Sequence, residues 1–279
     1  MPHGPIRLGL IGDNIAASQS PKLHRLAGRQ VQHIVSYDQI VPRHLGLDFD
    51  QTFALCAAGS YRGVNVTYPY KEAVTARVRI DDTLVRAMGA VNTVVFEADG
   101  PHGFNTDHSG FMAAYRAARG SQPPGRTLMI GAGGVGKAVA FGLVALGLSE
   151  IAIADRDVDK AEALCAALRQ VRPGLDASAG ADAEAMAQGA AGIINCTPVG
   201  MTGLEGTPLA RSALQGAAWA FDAVYTPVET QFLRDAADHG LSIISGYELF
   251  FHQGVDAWRI FTGLGLDPAR LRAALQDPE

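Results

Sequence analysis

The stretch TLMIGAGGVGKAV, residues 127–139, constrains the fold more than any other part of this chain. An apolar run reads as a short buried strand, a glycine turn follows, and an apolar helix opens inside the turn. That succession is the entry to a β–α–β unit, and it calls for a parallel sheet covered by helices. Gly131, Gly133 and Gly136 stand in a Gly-x-Gly-x-x-Gly spacing. The spacing is weak by itself, and its place between strand and helix gives it meaning. In that context Gly131 permits the tight turn, Gly133 lets the backbone approach a pyrophosphate, and Gly136 lets the helix pack on the strand. Gly134 and Val135 complete the turn, and the helix N-terminus faces the phosphates. The next strand, EIAIAD, ends on Asp155, where an acid meets the adenosine ribose of a dinucleotide. A glycine-rich turn without a ligand is the plain alternative, and strand, helix and acid together outweigh it.

Strand-like and helical patterns alternate along the whole chain, which predicts an α/β protein with parallel sheets. Ahead of the glycine turn, IRLGLIG, HIVSYDQI and GVNVT read as strands. AVNTVVFEADGPHGFNTD reads as a strand pair around Ala98-Asp99-Gly100, and SPKLHRLAGRQ, RHLGLDFDQTFALCAAG and HSGFMAAYRAARG as mainly helical. After it, AGIINCTP, AWAFDAVY and LSIIS read as strands, with VDKAEALCAALRQV and VETQFLRDAADHG as helices. The last long helix, YELFFHQGVDAWRIFTG, is apolar on more than one face and is expected to pack between two bodies. GSQPPGR, residues 120–126, is the sharpest local boundary.

Composition narrows the partners. Of the 279 residues 48% are hydrophobic, enough for the cores of one or two domains. The net charge of −5, with no basic block, argues against nucleic acid and anionic membrane surfaces. Cys56, Cys165 and Cys196 are scattered, which fits neither a disulfide framework nor a zinc site, and no metal is expected. The most apolar region, around residues 127–148, is broken by glycines and Lys137 and does not read as a membrane span. The apolar run at the N-terminus is too short for a signal peptide, so the expected setting is cytoplasmic.

Four polar clusters remain in the first part of the chain. Ser18 and Ser20 precede a helix. Asn65, Thr67 and Lys71 surround the end of GVNVT, Asn92 interrupts AVNTVV, and Asn105 and Asp107 precede HSGFMAAYRAARG. Each has a structural explanation. Ser20 and Asp107 suit helix N-caps, Asn92 can satisfy backbone groups, and Lys71 can be a solvated charge on a first helical turn. All four nevertheless fall near strand ends or helix starts, where open α/β sheets place their crevice.

The arrangement resembles the shikimate dehydrogenase family, including its quinate/shikimate dehydrogenase branch. The matching pieces are SQSPKLH, NVTYPYK, GAVNTVV, NTDHSGF, GAGGVGKAV, NCTPVGM, DAVYTPVET and HQGVDAWRIFTG, in family order from residue 18 to 263. The resemblance implies an enzyme that oxidises a ring hydroxyl of shikimate, or of a relative, with a nicotinamide cofactor. It implies Lys71 and Asp107 as a catalytic pair that relays the hydroxyl proton and stabilises the developing alkoxide, best treated as one coupled unit. By the same resemblance Ser18 and Ser20 hold the substrate carboxylate. Thr67, Asn92 and Gln253 bond the ring hydroxyls and carboxylate, and Tyr225 lies near the carboxylate. Asn195, Thr197 and Val224 fall at the nicotinamide half of the cofactor.

Two departures bear on specificity. Many NADP-using members carry Asn-Arg-Thr where this chain has ADRD, so Asp155 favours NAD, with NADP the lesser candidate. Arg156 works against this, since an arginine there can pair with a 2′-phosphate. The second hydroxyl residue is a serine, Ser20, where the quinate-oxidising branch often has threonine. The resulting expectation is an α/β protein of two domains with the substrate in the cleft between them. Residues 1–107, rejoined by 253–279, form an α/β substrate-binding domain, and residues 108–252 a Rossmann-type dinucleotide-binding domain. The leading activity is reversible NAD-dependent oxidation of shikimate to 3-dehydroshikimate, in the shikimate pathway of aromatic amino acid biosynthesis. Quinate or an aminoshikimate-type analogue is the alternative substrate. A folate-linked dehydrogenase is disfavoured by the Ser-x-Ser and NTD pieces. A non-catalytic metabolite or dinucleotide sensor is disfavoured by the retention of both Lys71 and Asp107. A homodimer stays open, as the sequence does not determine the oligomeric state.

Overall fold

The computed structural model describes residues 4–277 and divides the chain into two compact units, Met1–Thr106 with Gln253–Glu279, and Asp107–His252. The first unit begins β1 (Ile6–Ile11), α1 (Ser20–Gln30), β2 (Val35–Ile40), α2 (Phe49–Ala58) and β3 (Gly63–Val66). It continues with α3 (Thr83–Met88) and the hairpin β4 (Thr93–Glu97) and β5 (Gly100–Phe104). The sheet order is β2-β1-β3-β4-β5. β1, β2 and β3 run parallel, whereas β4 and β5 are each antiparallel to the strand before them. The sheet is therefore mixed rather than parallel throughout. The hairpin reverses the chain at once, with no crossover helix to bring the next strand round in parallel.

Local chemistry sets the helix ends here. Asp48 and Gln51 form a reciprocal capping box ahead of α2. The Asp82 carboxylate accepts the Leu84 N–H at 2.7 Å to start α3, and Gly89 in the left-handed region closes it. One sheet face buries Ile11, Val64, Val66 and Val94 with Phe49 and Phe53 of α2. The other buries Leu8, Leu10, Tyr37 and Val95 with Ala257 and Phe261, which come from the returning segment.

The second unit opens with α4 (Thr106–Arg119), β6 (Thr127–Ile130), α5 (Gly134–Ala145), β7 (Glu150–Ala154), α6 (Val158–Val171) and β8 (Asp176–Gly180). Then come α7 (Ala183–Met186), β9 (Gly192–Asn195), β10 (Trp219–Asp222), α8 (Gln231–Asp238) and β11 (Ser242–Ile244). All five pairings of the sheet β11-β10-β9-β6-β7-β8 are parallel. Its central strands β6, β9 and β10 are buried at every residue, as a parallel sheet covered on both faces requires. The stretch 120–126 is an internal loop of this unit, not its boundary.

The chain leaves the first unit at the start of α4, between Thr106 and Asp107, one residue before 107/108. Thr106 stays behind because its N–H and hydroxyl are tied to the Asn92 side chain. The return falls inside the 17-residue helix α9 (Gly246–Thr262), between His252 and Gln253, and α10 (Pro268–Gln276) follows. No helix among the described residues is long and apolar enough to cross a membrane.

Candidate active site

In the first unit one rim of the sheet gathers Thr67, Asn92 and the backbone of Lys71. β4 is antiparallel to β3, so its start lies level with the ends of β1 and β3, and the end of β5 joins them. The contacts are direct: the Thr67 N–H bonds the Ile11 carbonyl and the Val66 N–H the Asn92 carbonyl, both at 2.9 Å. The Asn92 N–H bonds the Phe104 carbonyl at 3.0 Å. Lys71, half-buried just past β3, accepts the Val91 N–H on its carbonyl at 2.8 Å, which fixes the lysine backbone beside Asn92.

Asn92 is 4% exposed and is built into this rim through its side chain. Its Oδ1 accepts the Thr106 N–H at 2.8 Å and the Thr93 hydroxyl at 3.0 Å, and its Nδ2 lies 3.1 Å from Thr106 Oγ1. Thr106 Oγ1 is also 3.3 Å from Gln253 Oε1. Asn92 and Gln253, far apart in sequence, thus meet through Thr106. Behind them Asn65 donates from Nδ2 to Thr93 Oγ1 at 3.1 Å and accepts the Tyr37 hydroxyl at 2.9 Å. His24, 1% exposed and stacked on Tyr37, completes this buried network, with its imidazole pushed down to about 3 by burial against an opposing hydrogen bond to Asn65.

Two helix-capping explanations fail. α1 begins at Ser20, its N-cap position is Gln19, and no side chain caps it. Ser18 Oγ instead accepts the Ser20 N–H at 3.3 Å, and the two hydroxyls lie 3.2 Å apart. Asp107, 4% exposed, is the second residue of α4 rather than the residue ahead of it.

The second unit carries the glycine turn at the end of β6. Gly131 has φ +101°, a backbone that side chains rarely adopt, and a Cβ on Gly136 would lie 2.2 Å from the Gly131 carbonyl oxygen. Beside Gly133, the N-cap of α5, there is open space, so the turn leaves its backbone accessible. Gly134 and Val135 form the first turn of α5. Asp155 follows β7, and its carboxylate accepts the Ala132 N–H at 2.7 Å and the Asp157 N–H at 2.9 Å. The acid is thereby pinned to the turn, and each oxygen keeps a lone pair for a further donor. Arg156 beside it is exposed. An open, side-chain-free turn at a helix start, with an anchored acid alongside, fits the phosphates and ribose of a dinucleotide.

Further along the sheet, Asn195 ends β9 and Asp222 ends β10, opposite one another in register. Asn195 Oδ1 accepts the Thr197 hydroxyl at 2.7 Å, and Val224, 6% exposed, donates its N–H to Asp222 Oδ1 at 2.9 Å. The Tyr225 ring stacks on Phe250 of α9, with centroids 5.1 Å apart. Sequence reasoning passed over Thr106 and Asp222. The one signal for Asp222 is an acid closing the otherwise apolar strand AWAFD. Among the described residues no group of three or more His, Cys, Asp or Glu could hold a metal ion.

Residues 10–94 match the model of the shikimate dehydrogenase substrate binding domain, and residues 127–240 that of the saccharopine dehydrogenase NADP binding domain. The chain is 36% identical to the NAD(+) quinate/shikimate dehydrogenase of Corynebacterium efficiens over 98% of each chain. It is 34% identical to the NADP(+) shikimate dehydrogenase of Pseudarthrobacter chlorophenolicus over 95% of this chain and 92% of the other. The solved quinate dehydrogenase from Corynebacterium glutamicum in complex with NAD superposes with a TM-score of 0.89 at 34% identity, covering 98% of this chain and 99% of that one.

Proposed function

The chain belongs to the shikimate dehydrogenase family, and from that premise we propose that it oxidises a ring hydroxyl of shikimate reversibly, with NAD as the preferred cofactor. The observation that carries this reading is the polar rim of the first unit. There Thr67, Asn92 and Gln253 are held at strand ends by backbone and side-chain bonds, close to the lysine of NVTYPYK.

The work of this chain's residues follows from the chemistry of a secondary alcohol. Its oxidation removes a hydride from carbon and a proton from oxygen, and the nicotinamide supplies the hydride acceptor when bound. Lys71 donates a hydrogen bond to the reacting oxygen and stabilises the charge that develops there, and Asp107 shares the released proton with it. Ser18 and Ser20 offer two hydroxyls 3.2 Å apart to the substrate carboxylate. Asn92, with its oxygen already taken by Thr106 and Thr93, orients a ring oxygen through its remaining N–H. Thr67 and Gln253 bond further ring oxygens, and Tyr225 closes the carboxylate end.

The cofactor preference comes from Asp155. Its anchored carboxylate accepts from the ribose 2′- and 3′-hydroxyls of NAD, whereas a 2′-phosphate sets a second anion there and removes a donor. Arg156 is exposed and free to extend into solvent, which leaves the ribose position to Asp155. Asn195, Thr197 and Val224 meet the nicotinamide half. Quinate is the second reading, supported by the similarity to the C. glutamicum quinate dehydrogenase. A spectrophotometric matrix of shikimate and quinate against NAD and NADP tests both, with the highest kcat/KM expected for shikimate with NAD. A higher value for quinate replaces the substrate, a higher value with NADP replaces the cofactor, and no turnover in any cell leaves a dinucleotide-binding sensor.

A further inference from the structure

We propose that Asp222 is a positioning residue for the nicotinamide end of the dinucleotide, its carboxylate holding the strand-end loops that carry Asn195, Thr197 and Val224 in the shape that end requires. The proposal rests on the assignment of those three residues to the nicotinamide half. Asp222 itself lies behind the loops, with no exposed surface.

A carboxylate at the end of a buried strand is unfavourable by itself. Charge withdrawn from water raises the free energy of the folded state unless donors replace the lost solvent. Three donors converge on Asp222, and all are uncharged. Oδ1 accepts from Asn195 Nδ2 at 2.9 Å and from the Val224 N–H at 2.9 Å, and Oδ2 accepts the Thr230 hydroxyl at 2.6 Å. Burial pushes the group up to about 6 while these bonds pull the other way, so the three donors offset part of its desolvation and leave it an acceptor above that pH.

The three partners belong to three different segments, which gives the carboxylate its geometric role. The first is the end of β9. An acceptor at Asp222 obliges Asn195 to present Nδ2, which also reaches the Val199 carbonyl at 3.0 Å. Asn195 Oδ1 must then face the other way, where it accepts the Thr197 N–H at 3.0 Å and the Thr197 hydroxyl at 2.7 Å. Thr197 Oγ1 in turn accepts the Val199 N–H at 3.2 Å. One carboxylate therefore sets the direction of an amide, a hydroxyl and the loop from 195 to 199. The second segment is the turn after β10, through Val224. The third is the start of α8, where Thr230 donates to Asp222 and accepts the Leu233 N–H at 3.2 Å.

The test separates the two ends of the dinucleotide by calorimetric binding of NAD and of ADP-ribose, which lacks the nicotinamide. Asp222→Leu removes all three acceptors and should weaken NAD binding at least about tenfold, with ADP-ribose binding unchanged. Asp222→Asn keeps one oxygen for Asn195 and Val224 and lets the Thr230 hydroxyl accept instead of donate. It should restore NAD binding to within about threefold of the unchanged protein. Should Asp222→Leu fail to fold by circular dichroism, Thr230→Val removes the shortest of the three bonds and leaves the strand intact. It must then weaken NAD about threefold with ADP-ribose unchanged. Equal weakening of both ligands, or of neither, in the folded variant overturns the positioning role. An unchanged protein that binds neither ligand overturns instead the dinucleotide assignment beneath it.

Discussion

The two units bury titratable groups of opposite sign, and they respond to acid in opposite directions. In the first, His24 is neutral within a network of amides, hydroxyls and aromatic rings, its ring against Tyr37, Trp258 and Phe261. Its folded value of about 3 lies far below the ordinary 6.5, so between these values the unfolded chain binds the extra proton. Stability is therefore lost as pH falls through 6.5 towards 3. In the second, Asp222 is raised from 3.8 to about 6, and between those values the folded chain holds the extra proton. That contribution grows as pH falls through 6 towards 4. One polar cluster is built from groups that stay neutral near pH 7, and the other from a charge that three donors barely hold.

The largest effect is expected at Lys71 and Asp107, the residues proposed above to handle the hydroxyl proton. Lys71→Ala and Asp107→Ala should each lower kcat by at least about 10²-fold, and by about 10⁴-fold at the upper end of general acid–base catalysis. Steady-state turnover decides this. Near-normal turnover in either variant would remove that residue from the proposed chemistry. Next in size is the acid response of the first unit. His24→Phe keeps the ring stack and removes the titration, so the stability difference between pH 4 and pH 7 should shrink by about 3.4 kcal/mol. Urea midpoints at the two pH values measure it, and an unaltered difference would place the acid sensitivity elsewhere. The second unit should show the reverse on a smaller scale. Asp222→Asn should abolish a loss of roughly 3 kcal/mol as pH rises from 4 to 6. A variant that follows the parent's pH dependence unchanged would remove Asp222 from the comparison. The smallest effect is the cofactor choice. Asp155→Ser should shrink an NAD preference of about tenfold, which corresponds to about 1.4 kcal/mol, by admitting NADP. If the variant keeps the parent's ratio of kcat/KM values, Arg156 or another group sets the ribose pocket.

How legible each region was depended on the range of the interactions that make it. The strand, glycine turn and helix from 127 to 145 obey local rules, and Asp155 follows at a spacing set by one β–α–β unit, so the dinucleotide half could be read directly. β8 could not, because DASAG is an edge strand with one buried residue and no apolar run to announce it. α3 has only six residues and owes its ends to Asp82 and Gly89 rather than to a periodic face. The direction of β4 and β5 is a property of pairing. The turn at Ala98-Asp99-Gly100 was visible, but the mixed sheet it produces was not. Asn92, a polar residue inside an apolar stretch, stood out as a candidate, and Gln253 entered through the family resemblance. Their meeting through Thr106 depends on the sheet rim and on a helix that returns from far along the chain. Asp222 finds Asn195 only through the register of β9 and β10.

The return of the chain inside α9 has a consequence for biosynthesis. A ribosome delivers β1 to β5 early, yet Trp258 and Phe261, which pack beside His24, emerge only after the whole second unit has been made. At 5–20 residues per second that delay is on the order of ten seconds. Throughout it the nascent first unit lacks the segment that covers the face holding Leu8, Leu10 and Val95, whereas the second unit is one continuous stretch of chain. The half made first is thus the half completed last, and its open sheet face is the surface that holding chaperones would meet on this chain.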